Sequence, residues 1–123
     1  MEQKLQNSEL KIMNVIWREG APTARHIAEV LQQEVGWNIN TTYTLIKRCI
    51  AKGAVERSEP NFVCRAKVEK QAVQHEQTDE LIDRIFDGAT SKLFASLLGR
   101  KKLSRNEVEE LKDYIAQMEA KQI

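Results

Sequence analysis

The chain has only two cysteines, Cys49 and Cys64, and they form no CxxC or CxC pair. Together with two isolated histidines, His26 and His75, they give no metal-ligand spacing, so a zinc site is not expected. There is no Gly-rich phosphate loop, no nucleophile elbow and no HExxH, which argues against an enzyme. Long apolar runs are lacking too, so no membrane span is expected. Residues 1–10, MEQKLQNSEL, lack the apolar core of a signal peptide. A cytoplasmic protein with no cofactor and no membrane partner is the expectation. Internal repeats and low-complexity tracts are also missing.

What remains is 123 residues, 41% of them hydrophobic, enough for one small core plus an appendage. The net charge of +1 conceals an uneven distribution. Residues 1–67 carry 10 Lys+Arg against 7 Asp+Glu, and residues 68–123 carry 9 against 11. Within 37–67 the ratio is 6 to 2. A basic patch on one part of a near-neutral chain suits a protein that presents one face to a polyanion.

Hydrophobic periodicity places a first helix from about Ser8 to Arg18, capped at Asn7 or Ser8. Leu10, Met13, Ile16 and Trp17 share a stripe that Ile12 and Val15 widen. A second helix opens at the N-cap Thr23 and buries Ala24, Ile27, Val30 and Leu31. Arg25 and His26 lie in its first turn, where backbone N–H groups can hold a phosphate. His26 and His75 otherwise read as surface histidines. A third helix has Asn38 as N-cap and Gly53 as the residue that ends it. Ile39, Thr42, Leu45, Ile46, Cys49 and Ile50 form its inner side. Cys49 reads as buried filler rather than a reactive thiol.

The outer side of that third helix is unusual. It offers Asn40, Tyr43, Thr44, Lys47 and Arg48, with Thr41 on a flank. Asn, Thr and Tyr are poor helix formers, so a demand other than helix stability selected them. Short polar side chains near a helix N-terminus reach base edges in the major groove, and Lys47 and Arg48 one turn later meet phosphates. A hairpin follows, with strands over Ala54–Ser58 and Phe62–Lys67 around a Glu59-Pro60-Asn61 turn. Its Arg57 and Arg65 read either as wing contacts to DNA or as ordinary solvated cations. Glu59 and Pro60 at the tip oppose deep insertion into a groove.

After Lys67 the chain becomes wholly helical. Segments over 68–87 and about Ser91–Leu98 end at Gly88 and Gly99. A last helix begins with the capping box Ser104-Arg105-Asn106-Glu107. The acids Glu107, Glu109, Glu110 and Asp113 read as a solvated helix front. These helices cannot all bury their stripes within one short chain, so a second copy is expected to cover them. Leu81, Ile85, Phe86, Leu93, Leu97, Leu111, Ile115 and Met118 are expected in that dimer packing or its supporting core. The fold expected is mainly α: a winged helix-turn-helix (three helices plus a β-hairpin wing) over 1–68, then a helical dimerisation region over 69–123. The partner expected is double-stranded DNA. The rival is a winged-helix protein-interaction module that reads no DNA sequence.

The stretches SELKIMNVIW (8–17), PTARHIAEVLQ (22–32), TTYTLIKRCIAKG (41–53) and NEVEELKDYI (106–115) resemble the BlaI/MecI penicillinase-repressor family. The resemblance implies a homodimeric winged-helix repressor on an inverted-repeat operator, of antibiotic-resistance (beta-lactamase type) genes. It maps the family's reading helix onto Asn38 to Arg48. Thr41, Thr44 and Arg48 keep the family's residues, and Tyr43 replaces a basic side chain found in other members. A protease or sensor system as inducing partner is implied as well. The cleaved Asn-Phe bond of some relatives aligns with Ser96-Leu97 and is not matched. The C-terminal CxC motifs of copper-responsive members are absent.

Overall fold

The structure is a computed structural model that describes residues 4–122. The first three residues of the N-terminal segment and Ile123 lie outside the described residues. The chain divides into two compact units, Met1–Gln74 and His75–Ile123.

In the first unit, α1 (Asn7–Glu19), α2 (Ala24–Val35) and α3 (Ile39–Ala51) are followed by the strands β1 (Val55–Ser58) and β2 (Val63–Ala66). The core is built from the helical stripes. Leu5, Ile12, Met13, Val15, Ile16, Ala24, Ile27, Leu31, Leu45, Ile46, Cys49 and Val73 are buried in one cluster. Full burial of each large aliphatic side chain contributes about 1.5–3 kcal/mol relative to exposure. Leu10, Trp17 and Val30 are only partly buried at its rim. Trp17 ties its indole N–H to the Val68 carbonyl at 3.0 Å.

The helix ends explain the connections. The N-cap of α1 is Gln6, not Asn7 or Ser8, because Glu9 reaches back to accept from the Gln6 N–H at 2.7 Å. Thr23 caps α2 and Asn38 caps α3, each accepting from a backbone N–H two or three residues on. Gly36, at φ 73°, supplies the left-handed residue between α2 and α3. At the end of α3 the Ala54 N–H bonds to the Cys49 carbonyl and the Gly53 N–H to that of Ile50. That is a Schellman closure with Gly53 at φ 80°.

The hairpin is antiparallel, with Val55 opposite Ala66 and Ser58 opposite Val63. Each strand is shorter than the sequence pattern indicates: Ala54 and Lys67 fall outside β1 and β2, and Phe62 belongs to the turn at φ 51° instead of to β2. The chain just before α2 acts as a third strand. Thr23 bridges Val63, the Cys64 N–H bonds to the Pro22 carbonyl at 2.8 Å, and the Ala24 N–H bonds to the Phe62 carbonyl at 2.9 Å. These bonds fix the hairpin against the start of α2.

A buried charge pair joins α1 to the C-terminal end of α3. Glu9 is 1% exposed and meets Lys52 Nζ at 2.6 Å; the same Nζ donates to the Lys4 carbonyl at 2.8 Å.

Helix α4 (Lys70–Ile85) begins in the first unit and ends in the second. The second unit continues with α5 (Thr90–Gly99) and α6 (Arg105–Lys121). Gly99 is the last residue of α5 rather than its stop. The Ser104/Glu107 capping box is formed in both directions, at 2.9 and 3.1 Å. Neither α5 nor α6 has a buried residue. Between them runs an apolar groove of about 640 Å³, lined by Phe94, Leu98, Val108, Leu111, Ile115 and Met118 among others. Among the described residues no helix is long and apolar enough to cross a membrane.

Candidate nucleic-acid interface

The inward side of α3 is Thr42, Leu45, Ile46 and Cys49, all buried. That burial forces Asn40, Thr41, Thr44, Lys47 and Arg48 outward, and all five are exposed. The expectation that Ile39 packs inside is corrected: it is 46% exposed. It is the first residue of the helix, one turn beyond the reach of the core. Asn38 is exposed, but its side-chain oxygen is taken by the Asn40 N–H at 2.7 Å, so it caps the helix and leaves only its amide N–H₂ outward.

Asn40, Thr41, Thr44 and Arg48 come together along an open groove of about 480 Å³. Ser8 of α1 and Trp37, just before the cap, complete its rim. Both were missed in the sequence; for Trp37 the unused signal was an aromatic next to the cap of a polar helix. Lys47 is exposed on the same helix but does not line this groove. Among the described residues neither Lys47 nor Arg48 is paired with an acidic side chain. Both cations are therefore available to an anion.

Tyr43 differs from its neighbours. It is half-buried, and its ring meets that of Phe62 edge-on, with centroids 5.9 Å apart and planes at 72°. Phe62 in turn carries the Arg57 guanidinium 3.6 Å above its ring centre. Arg57 Nε donates to Glu59 Oε1 at 2.5 Å. The other Glu59 oxygen accepts from the Phe62 N–H at 3.4 Å. The Arg57 hydrogen bond and then the Phe62 N–H hold the Glu59 carboxyl below its usual range. Arg65 is exposed and donates to Ser58 Oγ at 3.3 Å. The hairpin thus carries two cations, Arg57 held by a carboxylate and Arg65 by a neutral hydroxyl.

At the start of α2, Arg25 pairs with Glu29 at 3.3 Å and His26 Nε2 with Glu19 at 2.6 Å. His26 therefore has a structural partner that its sequence neighbours did not reveal. Burial pushes the Cys49 thiol up to about 12, with the Glu9 charge adding to the effect, and the Cys64 thiol up to about 11. Neither is a nucleophile at neutral pH. Among the described residues no group of three His, Cys, Asp or Glu side chains is placed to hold a metal ion.

The eight apolar residues expected at a dimer contact sit in the second unit. Ile85, Ile115 and Met118 are more than half exposed, while Leu81, Phe86, Leu93, Leu97 and Leu111 are intermediate. Phe94, Leu98 and Tyr114 are exposed too and were missed. Phe94 and Leu98 are four residues apart in α5, the spacing of one helix face.

Three helices closed by a hairpin, with the turn between α2 and α3 and a polar outer side on α3, define a winged helix-turn-helix protein. The solved DNA-binding domain of the repressor BlaI is similar in fold, with a TM-score of 0.52 at 24% identity over 57% of this chain and 90% of that one. The chain belongs to the penicillinase repressor family, whose model matches residues 5–117. It is 27% identical over 114 residues to the methicillin resistance regulatory protein MecI of Staphylococcus aureus, covering 91% of this chain and 93% of that one. It is 23% identical over 110 residues to the penicillinase repressor of Bacillus licheniformis, covering 88% and 86%.

Proposed function

We propose that the chain is a cytoplasmic transcriptional repressor that binds an inverted-repeat operator as a homodimer. The observation that carries this reading is the exposed row Asn40, Thr41, Thr44, Lys47 and Arg48 on α3, polar and basic on a helix whose other side buries Thr42, Leu45, Ile46 and Cys49. Asn40, Thr41 and Thr44 are the base-edge contacts. Lys47, Arg48, Arg57 and Arg65 grip phosphates, and Asn38 and Tyr43 set the entry of the helix. Residues 1–68 form the DNA-binding domain and 69–123 the dimerisation domain. The unburied α5 and α6 support a second copy as their cover. Two such domains occupy successive major grooves and deny polymerase the promoter.

The names of the relatives support antibiotic-resistance genes of the beta-lactamase type as targets. A protease or sensor system as inducing partner belongs to the same proposal. The Ser96-Leu97 bond lies within α5, so cleavage there requires that helix to unwind.

Two variants test the reading in a salt titration. Lys47→Ala weakens every duplex alike and flattens the log–log salt slope by about one unit. Thr44→Ala changes the preference among sequences by ~1 kcal/mol and leaves the slope alone. The rival, a protein-interaction module, predicts binding to random duplex that is weak and insensitive to salt. Sedimentation of Ile115→Glu as a monomer, against a dimeric wild type, tests the assembly.

A further inference from the structure

The hairpin holds its own anion against its own cation. Arg57 is fixed on two sides: its plane lies over Phe62 at 3.6 Å, and its Nε–H points into Glu59 at 2.5 Å. Glu59 is held there by a second bond, from the Phe62 N–H to its other oxygen at 3.4 Å. Arg57 and Glu59 remain 46% and 60% exposed at their side chains, so a polyanion can reach both. A guanidinium grips a phosphate through a fork of parallel N–H groups, and the Nε–H is one tine of the fork. Glu59 occupies that tine in the free protein. The Phe62 ring also touches Tyr43 of α3, so the orientation of Arg57 is coupled to the reading helix.

We propose that Glu59 is an intramolecular competitor for DNA phosphate at Arg57, held in place by Phe62, and that it sets how tightly the wing grips any duplex. The inference rests on the DNA-binding reading above. Its consequence is specificity: a masked wing cation lowers phosphate affinity for all sequences, leaving discrimination to Thr41 and Thr44 on α3. An exposed ion pair of this kind is weak, so a phosphate can displace it.

The test uses the full chain and a short duplex of random sequence. Glu59→Gln binds about two- to fivefold tighter, with a salt slope steeper by about one unit as Arg57 joins the phosphate contacts. In an Arg57→Ala background the same substitution changes little. An unchanged affinity for Glu59→Gln overturns the proposal. So does a gain that persists in full without Arg57, since that is general charge repulsion. Free of DNA, the Arg57 Nε–H exchanges slowly in the wild type and faster in Glu59→Gln; equal rates also overturn it. A wild type with no affinity for any duplex contradicts the DNA reading itself, and this inference falls with it.

Discussion

Truncating Lys52 to alanine should destabilise the first unit by about 3–5 kcal/mol, the usual cost of leaving one member of a buried ion pair alone. Glu9 is 1% exposed, and its carboxylate is paired with Lys52 Nζ at 2.6 Å. After truncation Glu9 keeps the Gln6 N–H but loses this cation. Lys52 is itself 14% exposed at the side chain, so water can follow into the space it leaves. That places the expected loss near the lower end, about 3 kcal/mol. A unit that ends at Gln74 holds on the order of 4–11 kcal/mol in all, so the loss is a large share of it. Tm falls by at least about 12 °C. Urea denaturation followed by circular dichroism measures the change, with an unaltered slope showing that the midpoint alone has moved. The double variant Glu9→Leu/Lys52→Met removes both charges and should lie near wild type or above it. Because Lys52 caps the C-terminal end of α3, the single variant also loses DNA binding in proportion to its unfolded fraction. A cost under about 1 kcal/mol for Lys52→Ala would refute the argument, since it is what a solvent-screened surface pair gives.

Thr42 is fully buried and its hydroxyl has no hydrogen-bond partner among the described residues. Thr42→Val keeps the shape and removes the unsatisfied group, so it should stabilise the fold by ~1 kcal/mol in the same denaturation assay and leave DNA affinity unchanged. The buried thiols give a pH dependence of known sign. Burial raises Cys49 to about 12 and Cys64 to about 11 from an ordinary 9.0, so the folded state favours the protonated forms. Their contribution is complete below about pH 9 and is lost as pH climbs through 11 to 12. Denaturation midpoints should fall over that range in the wild type and fall less in Cys49→Ala/Cys64→Ala. Neither thiol should react with a disulfide reagent at neutral pH until the chain is unfolded.

The helices were legible where a local signal marked both ends. Asn38 and Gly53 bound α3 because an Asx cap and a left-handed glycine act within a few residues of themselves. The capping box of α6 is legible for the same reason. Glu9 was not: a carboxylate in the first turn of an amphipathic helix normally faces water, and its partner Lys52 is 43 residues away in sequence. Phe62 reads as a strand residue by its β propensity, yet the tight turn takes it to positive φ and turns its ring towards Arg57 and Tyr43. Ile39 fits the inner stripe by period, but the core ends before the first residue of the helix. The outer residues of α3 were legible because helical period alone decides which side faces out, once the buried side is known. The carboxylate that masks Arg57 needed the folded hairpin, because Glu59 lies past the end of β1 in the turn, where the two-residue strand period no longer decides which side chains meet.

The whole account rests on two copies of α3 presenting a threonine-rich row to the major groove. Selecting bound sequences from a random duplex pool with the full chain tests that most directly. The account predicts an enriched inverted repeat whose half-sites lie about one helical turn, or a whole multiple of it, apart. Enrichment of nothing, or of a single unpaired half-site, would contradict it.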